Sequence, residues 1–213
     1  MKTIEVPYLP IQDSSDMSCL ARQLKHFPKL AINSNPWPKF LAAVKADCVI
    51  AYNDNAILLQ YQISEPYLSA SSDINGDIHK DSCVEFFLAL DNHGSYYNME
   101  FNCLGVCKIG YGSERDQRAL IAESLIANIR SHTAIYSTVE NGQKLFSWEM
   151  TLVIPNETFC FNADVSFKKR KASGNFYKCG DSLPEPHYLC WNMIEAEHPD
   201  FHQKDFFGRL DFV

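Results

Sequence analysis

The chain predicts an all-β fold: an antiparallel β-sandwich of the jelly-roll or immunoglobulin-like kind with one or two short helices. Three observations carry that expectation. About nine short segments alternate apolar and polar residues with period two. Clusters of Asn, Asp and Gly separate many of them at hairpin spacing. Apolar residues at helical spacing occur in only one or two places.

The clearest pair of strands lies within residues 81–105. Val84, Phe86, Leu88 and Leu90 alternate with Cys83, Glu85, Phe87 and Ala89, and a turn-forming loop follows at residues 91–95. On the return, Met99, Phe101 and Cys103 share one face and Asn98, Glu100 and Asn102 the other. One side of this hairpin is therefore apolar, and the other carries acids and amides without a basic partner on the same strands. Such a face suits a neutral, polyhydroxylated ligand.

From the start of the chain, Ile4, Val6 and Tyr8 alternate but Pro7 and Pro10 interrupt them, which predicts an edge strand or extended arm. Ser14, Ser15 and Asp16 offer N-caps for a helix to about His26, with Met17, Leu20, Ala21 and Leu24 on one face. Residues 44–52 and 56–64 read as strands around the turn Asn53-Asp54-Asn55, and residues 65–80 as a polar loop. Residues 106–111 make a further strand, and residues 114–128 hold the other helical candidate. Asn141-Gly142 marks a hairpin between strands at 134–139 and 145–154, the second with Phe146, Trp148, Met150, Leu152 and Ile154 in one row. Residues 161–169 read as a strand with Ala163, Val165 and Phe167 inward, residues 171–188 as a loop, and Leu210 and Phe212 as a closing strand. Val84, Phe86, Phe101, Trp148 and Met150 are the expected core.

A length of 213 residues with 46% hydrophobic and 21% charged content suits one domain over 1–213. The net charge of −7 argues against a nucleic-acid binder, and the run Lys168-Lys169-Arg170-Lys171 reads as a solvated strand end. No run of apolar residues is long enough for a membrane span, and the N-terminus lacks the apolar core of a leader. A cytoplasmic location follows if the chain is complete, and a secreted or periplasmic one if a leader has been removed. The eight cysteines form no C-x-x-C pair, and they read as small core hydrophobes rather than a disulfide framework.

None of the common nucleotide-binding, serine-hydrolase or zinc-protease motifs occurs. Glu85, Glu100 and Glu149 could supply the carboxylate pair of a glycoside hydrolase, a geometry that neighbouring strands meet often. In Glu197-His198-Pro199-Asp200-Phe201-His202, Pro199 spoils helical spacing of the histidines, and Glu197 and Asp200 would favour calcium over zinc. That segment reads as a loop whose histidines cap backbone groups. A haem- or cofactor-holding sandwich is a further alternative, but no His–Met pair stands in obvious register. Trp191 follows a loop, beside Asn192 and close to Tyr177, His187 and Tyr188, where an aromatic face could stack on a sugar ring.

The ordered set Asp81-Ser82-x-Val84-Glu85-Phe86-Phe87-Leu88, Tyr97-x-Met99-Glu100-Phe101-Asn102-x-x-Gly105, Trp148-x-Met150, Ile154-Pro155, Phe161-Asn162, Arg170, Trp191 and the closing Phe201-His202-x-x-x-Phe206-Phe207-Gly208-x-Leu210-x-Phe212 resembles the family 9 carbohydrate-binding modules over about residues 30–213. The resemblance implies a non-catalytic sandwich that binds a mono- or oligosaccharide beside glycoside hydrolases in carbohydrate catabolism, often with structural calcium. It implies that Trp191 forms one wall of a sugar clamp, with Glu85, Glu100, Asn102, Arg170, Tyr177 and Asn192 around it. The loop before Asp81 reads Asp77-Ile78-His79-Lys80 and carries no Trp, so the second wall would fall to His79 or Tyr67.

Overall fold

Period-two alternation gives each strand one apolar row, and two sheets bury those rows by facing each other. The computed structural model describes residues 1–10, 16–140 and 142–213. In chain order its elements are β1 (Thr3–Val6), α1 (Met17–Leu24), β2 (Leu30–Ala31), β3 (Lys45–Tyr52), β4 (Ala56–Glu65), β5 (Cys83–Ala89), β6 (Tyr96–Asn102), β7 (Cys107–Gly112) and β8 (Ala119–Leu120). There follow α2 (Glu123–Ile126), β9 (Arg130–Glu140), β10 (Gln143–Pro155), β11 (Lys171–Cys179), β12 (Tyr188–Cys190) and β13 (Gly208–Phe212). One sheet runs β1-β13-β11-β5-β6-β7-β8 with β12 beside β11, and the other runs β2-β3-β4-β10-β9. All pairings between these strands are antiparallel except that of β1 with β13. The fold is a β-sandwich.

Val84, Phe86, Phe101, Trp148 and Met150 lie in the core between the sheets, each essentially inaccessible to solvent. Phe86 stacks on Phe176 of β11 at 4.7 Å between ring centroids. A charged cluster is buried in the same interior. Lys178 Nζ lies 2.8 Å from Glu65 Oε2 and 2.9 Å from His187 Nε2, while Trp148 Nε1 donates to Glu65 Oε1 at 2.7 Å. Burial, and then the Lys178 charge, pull His187 down to about 4, so its neutral ring can accept from the ammonium.

Both faces of the first sheet are covered. β5 and β6 are buried along their whole length, because a second apolar cluster lies over the outer face. It packs Phe87, Tyr96 and Tyr177 of that face against Trp37, Phe201 and Phe207 from loops and the chain end. The ring of Tyr177 stacks on Phe201 at 4.2 Å, and Trp37 Nε1 donates to the carbonyl of Ala196.

Three local expectations need correction. Residues 161–169 form turns and bends, not a strand, with Asp164 and Lys169 at positive φ, although Phe167 is buried as expected. The segment read as a loop from 171 begins instead with β11, a central strand of its sheet. Within residues 114–128 only a single helical turn, α2, forms. At the first helix, the Asp16 carboxylate accepts from the Cys19 amide as an N-cap. The expected caps Ser14 and Ser15, and Asn141 of the hairpin β9–β10, lie outside the described residues. All eight cysteines are free; Cys48, Cys83, Cys103, Cys107, Cys179 and Cys190 are buried and Cys160 is exposed. Among the described residues no helix is long and apolar enough to cross a membrane.

Candidate functional site

The outer face of β5, β6 and β7 aligns polar residues across three strands. Glu85 stands opposite Glu100, Asn98 opposite Gly110, and Glu100 opposite Lys108. The aromatic cover stops short of this region and leaves a cleft of about 480 Å³. Glu85, Asn98, Glu100, Lys108 and Cys179 line it from the sheet. His79, Asp181, Phe201, His202 and the segment Arg115–Arg118 line it from the connections, and Tyr188 from the start of β12. Gly110 is required here: a Cβ would come within 2.7 Å of Asn98 Oδ1 and 3.2 Å of the Arg118 side chain. The space lets Arg118 Nε donate to Asn98 Oδ1 at 2.7 Å while its guanidinium lies over Tyr96. Arg118 also donates to the carbonyls of Glu114 and Tyr96, so it anchors the loop across the sheet.

The electrostatics are set by two buried acids side by side. Burial, and next the neighbouring Glu100, push the Glu85 carboxyl well above the usual range. Asn98 Nδ2 donates to Glu100 Oε1 at 3.0 Å, and Glu100 Oε2 is buried without a hydrogen-bond partner. The nearest ring nitrogen, His79 Nδ1, is 3.8 Å from Glu100 Oε2, and that carboxylate raises the His79 pKa. Burial also raises Asp181. His202 sits at about 4 because of burial and then the Arg118 charge, and its Nδ1 shares a 2.8 Å hydrogen bond with the Tyr96 hydroxyl. The cleft thus offers carboxyl and amide groups, cationic groups on Lys108 and Arg115, and the rings of Tyr188 and Phe201. Hydroxyl groups both donate and accept, so a polyol can meet all three kinds of partner.

Of the residues that the sequence pointed to, Glu85, Glu100, His79 and Asp200 line this cleft. Tyr177 lies beneath its aromatic wall, fully buried, with its hydroxyl donating to the Phe201 carbonyl. Asn102 holds the turn after β6: its Oδ1 accepts from the Leu104 and Val106 amides and its Nδ2 donates to Asp81. Burial raises the Asp81 carboxyl, but amides and hydroxyls of Ser71, Ser72 and Asn102 outweigh it and hold the group at about 2. Asn192 ties the chain termini together, accepting from the Lys2 amide and donating to the Phe206 carbonyl.

The expected open face of Trp191 is not there. The residue is 3% exposed in the inter-sheet core, edge-on to Phe176, and a Cβ at Gly208 would come 2.2 Å from its ring. A position just after a short strand does not reveal that β13 closes over it. Arg170 is likewise elsewhere, donating to the carbonyls of Ser166 and Leu90, because residues 161–169 do not continue a strand that would alternate it toward the acids. Tyr67 does not line the cleft. Asp200 caps His202 and lies 3.9 Å from Arg115, while the Glu197 side chain faces His198 in solvent. Among the described residues neither belongs to a group of three His, Cys, Asp or Glu side chains that could share an ion. Asn98, Lys108, Asp181 and the segment Arg115–Arg118 were missed. Only Asn98 carried a visible signal, its place in the polar row with Glu100.

Known proteins agree with this architecture. The model of carbohydrate-binding family 9 matches residues 19–212. A solved protein from Bacteroides uniformis ATCC 8492, provisionally described as carbohydrate-binding, is 28% identical and superposes with a TM-score of 0.89, covering 100% of this chain and 99% of its own. A family 9 module from Caldicellulosiruptor kristjanssonii, solved with glucose, is 12% identical with a TM-score of 0.62, covering 100% of this chain and 96% of its own. Its complex with cellotriose gives 12% identity and 0.58, covering 99% and 93%. No curated protein sequence matches the chain. With its family model spanning nearly the whole sequence, the chain belongs to carbohydrate-binding family 9.

Proposed function

We propose that the cleft over β5, β6 and β7 binds a mono- or oligosaccharide and performs no chemistry on it, in the service of glycan breakdown by separate glycoside hydrolases. The supporting observation is the pair Glu85 and Glu100, in register and buried at the base of a cleft that also presents amide, cationic and aromatic groups. Family membership, and the glucose and cellotriose in solved modules of similar fold, make a saccharide the natural occupant. Tyr188 and Phe201 stand where ring faces could meet a sugar, in place of the absent Trp clamp. A shallow site with few charge-assisted bonds should bind at roughly micromolar to millimolar Kd. A glycan array that includes glucose and cello-oligosaccharides tests the reading: selective retention supports it, and no retained glycan defeats it.

One observation favours a second reading. A buried carboxyl whose pKa is raised beside a second carboxyl is the arrangement of a glycoside hydrolase acid and its partner. Release of phenol from aryl glycosides, abolished in Glu85→Gln, would establish it over simple binding.

A further inference from the structure

The base of the cleft holds a second cluster, of different chemistry. Cys83 and Cys179 are register partners on β5 and β11, and Glu85 lies two residues beyond Cys83 on the same face. Cys179 Sγ is 3.2 Å from Glu85 Oε1, and the ligand atoms of all three residues lie within 4.8 Å of one another. They are 0%, 1% and 4% exposed. A tetrahedral zinc ion, with sulfur at about 2.3 Å and oxygen at about 2.1 Å, spaces its ligands roughly 3.4–3.8 Å apart. The three side chains can therefore close on such an ion with small adjustments of rotamer.

We propose that Cys83, Cys179 and Glu85 form a binding site for a soft divalent cation of the zinc class, with its remaining coordination facing the cleft. Among the described residues, this is where three potential metal ligands converge. The ligand set decides the class of ion: two sulfurs exclude a hard, oxygen-seeking cation such as calcium and suit zinc. A separate feature points the same way. Glu100 Oε2, buried without a hydrogen-bond partner, lines the same cleft and adds a further acceptor beside Glu85. The adjacent Lys178 side chain points to the opposite face and engages Glu65.

The other reading of the two cysteines, as small core hydrophobes, gives the opposite outcome in a metal titration. Zn²⁺ is titrated calorimetrically into the reduced, chelator-treated full chain. One ion per chain should bind to wild type and to the surface variant Cys160→Ser. Cys83→Ser and Cys179→Ser should each lose affinity by more than the roughly 10–100-fold that removal of a merely supporting partner causes. X-ray absorption at the zinc edge of the loaded wild type should show two sulfur neighbours, with oxygen or nitrogen completing the shell. Wild-type affinity in both serine variants overturns the site, as does any other sulfur count. Should the serine variants fail to fold, the wild-type spectrum alone decides. No sugar is involved, so failure here leaves the proposed carbohydrate binding untouched.

Discussion

Burial between strands, and next Glu100 opposite, penalise the charge of Glu85 and outweigh the hydrogen bond that the Cys179 thiol donates to it at 3.2 Å. Its folded pKa is raised, so the folded chain retains a proton that the unfolded chain has released. The resulting penalty is absent below the unfolded carboxylate range, near pH 4, and grows as pH rises through the folded value. Glu85→Gln in a chelating buffer should therefore stabilise the protein by about 1 kcal/mol at pH 8 and by much less at pH 4, while weakening sugar binding. Urea midpoints at the two pH values check the sign. Trp191 behaves in the reverse way. As a core residue against Phe176 and Gly208, its replacement by Ala should cost about 3–5 kcal/mol, seen as a large fall in thermal midpoint. At this scale the sequence exposed the acids, because alternation alone assigns Glu85 and Glu100 to one face. It could not expose the burial of Trp191, which depends on a strand arriving from the far end of the chain.

Among the elements, β11 shows where pattern reading stops. Its sequence, KASGNFYKC, has no clean alternation, since Gly174 and Lys178 occupy inward positions. Each has a tertiary cause. A Cβ at Gly174 would sit 2.4 Å from the Phe87 carbonyl, and Lys178 turns inward because Glu65 of β4 is there to meet it. Lys178→Met would leave the Glu65 carboxylate buried and unpaired, and should destabilise by about 3–5 kcal/mol. The double variant Lys178→Met/Glu65→Gln should recover part of that loss, which a chemical-denaturation cycle measures. The hairpin β5–β6 and the pairs β3–β4 and β9–β10 were legible because their alternation and turns agree. The one-turn α2 and the turns at 161–169 were not, because short apolar periods fit helix and strand equally well there.

For the whole molecule, the sandwich accounts for the core, and the aromatic layer over one sheet accounts for the cleft. That layer joins Trp37 to Phe201 and Phe207 from the far end of the chain, so its edge and the opening beside it leave no linear trace. The hairpin's polar face was visible, but its walls were not: the segment Arg115–Arg118, Asp181 of the β11–β12 connection and Tyr188 at the start of β12 reach it from separate parts of the chain. This opening is the proposed sugar site. Calorimetric titration of the glycan selected on the array, into wild type and into Glu100→Gln, tests it most directly. Binding to wild type, with at least a tenfold weaker Kd for the variant (about 1.4 kcal/mol) and a thermal midpoint that does not fall, is the predicted result. Equal affinity in the two proteins would place the ligand elsewhere on the molecule and contradict the claim.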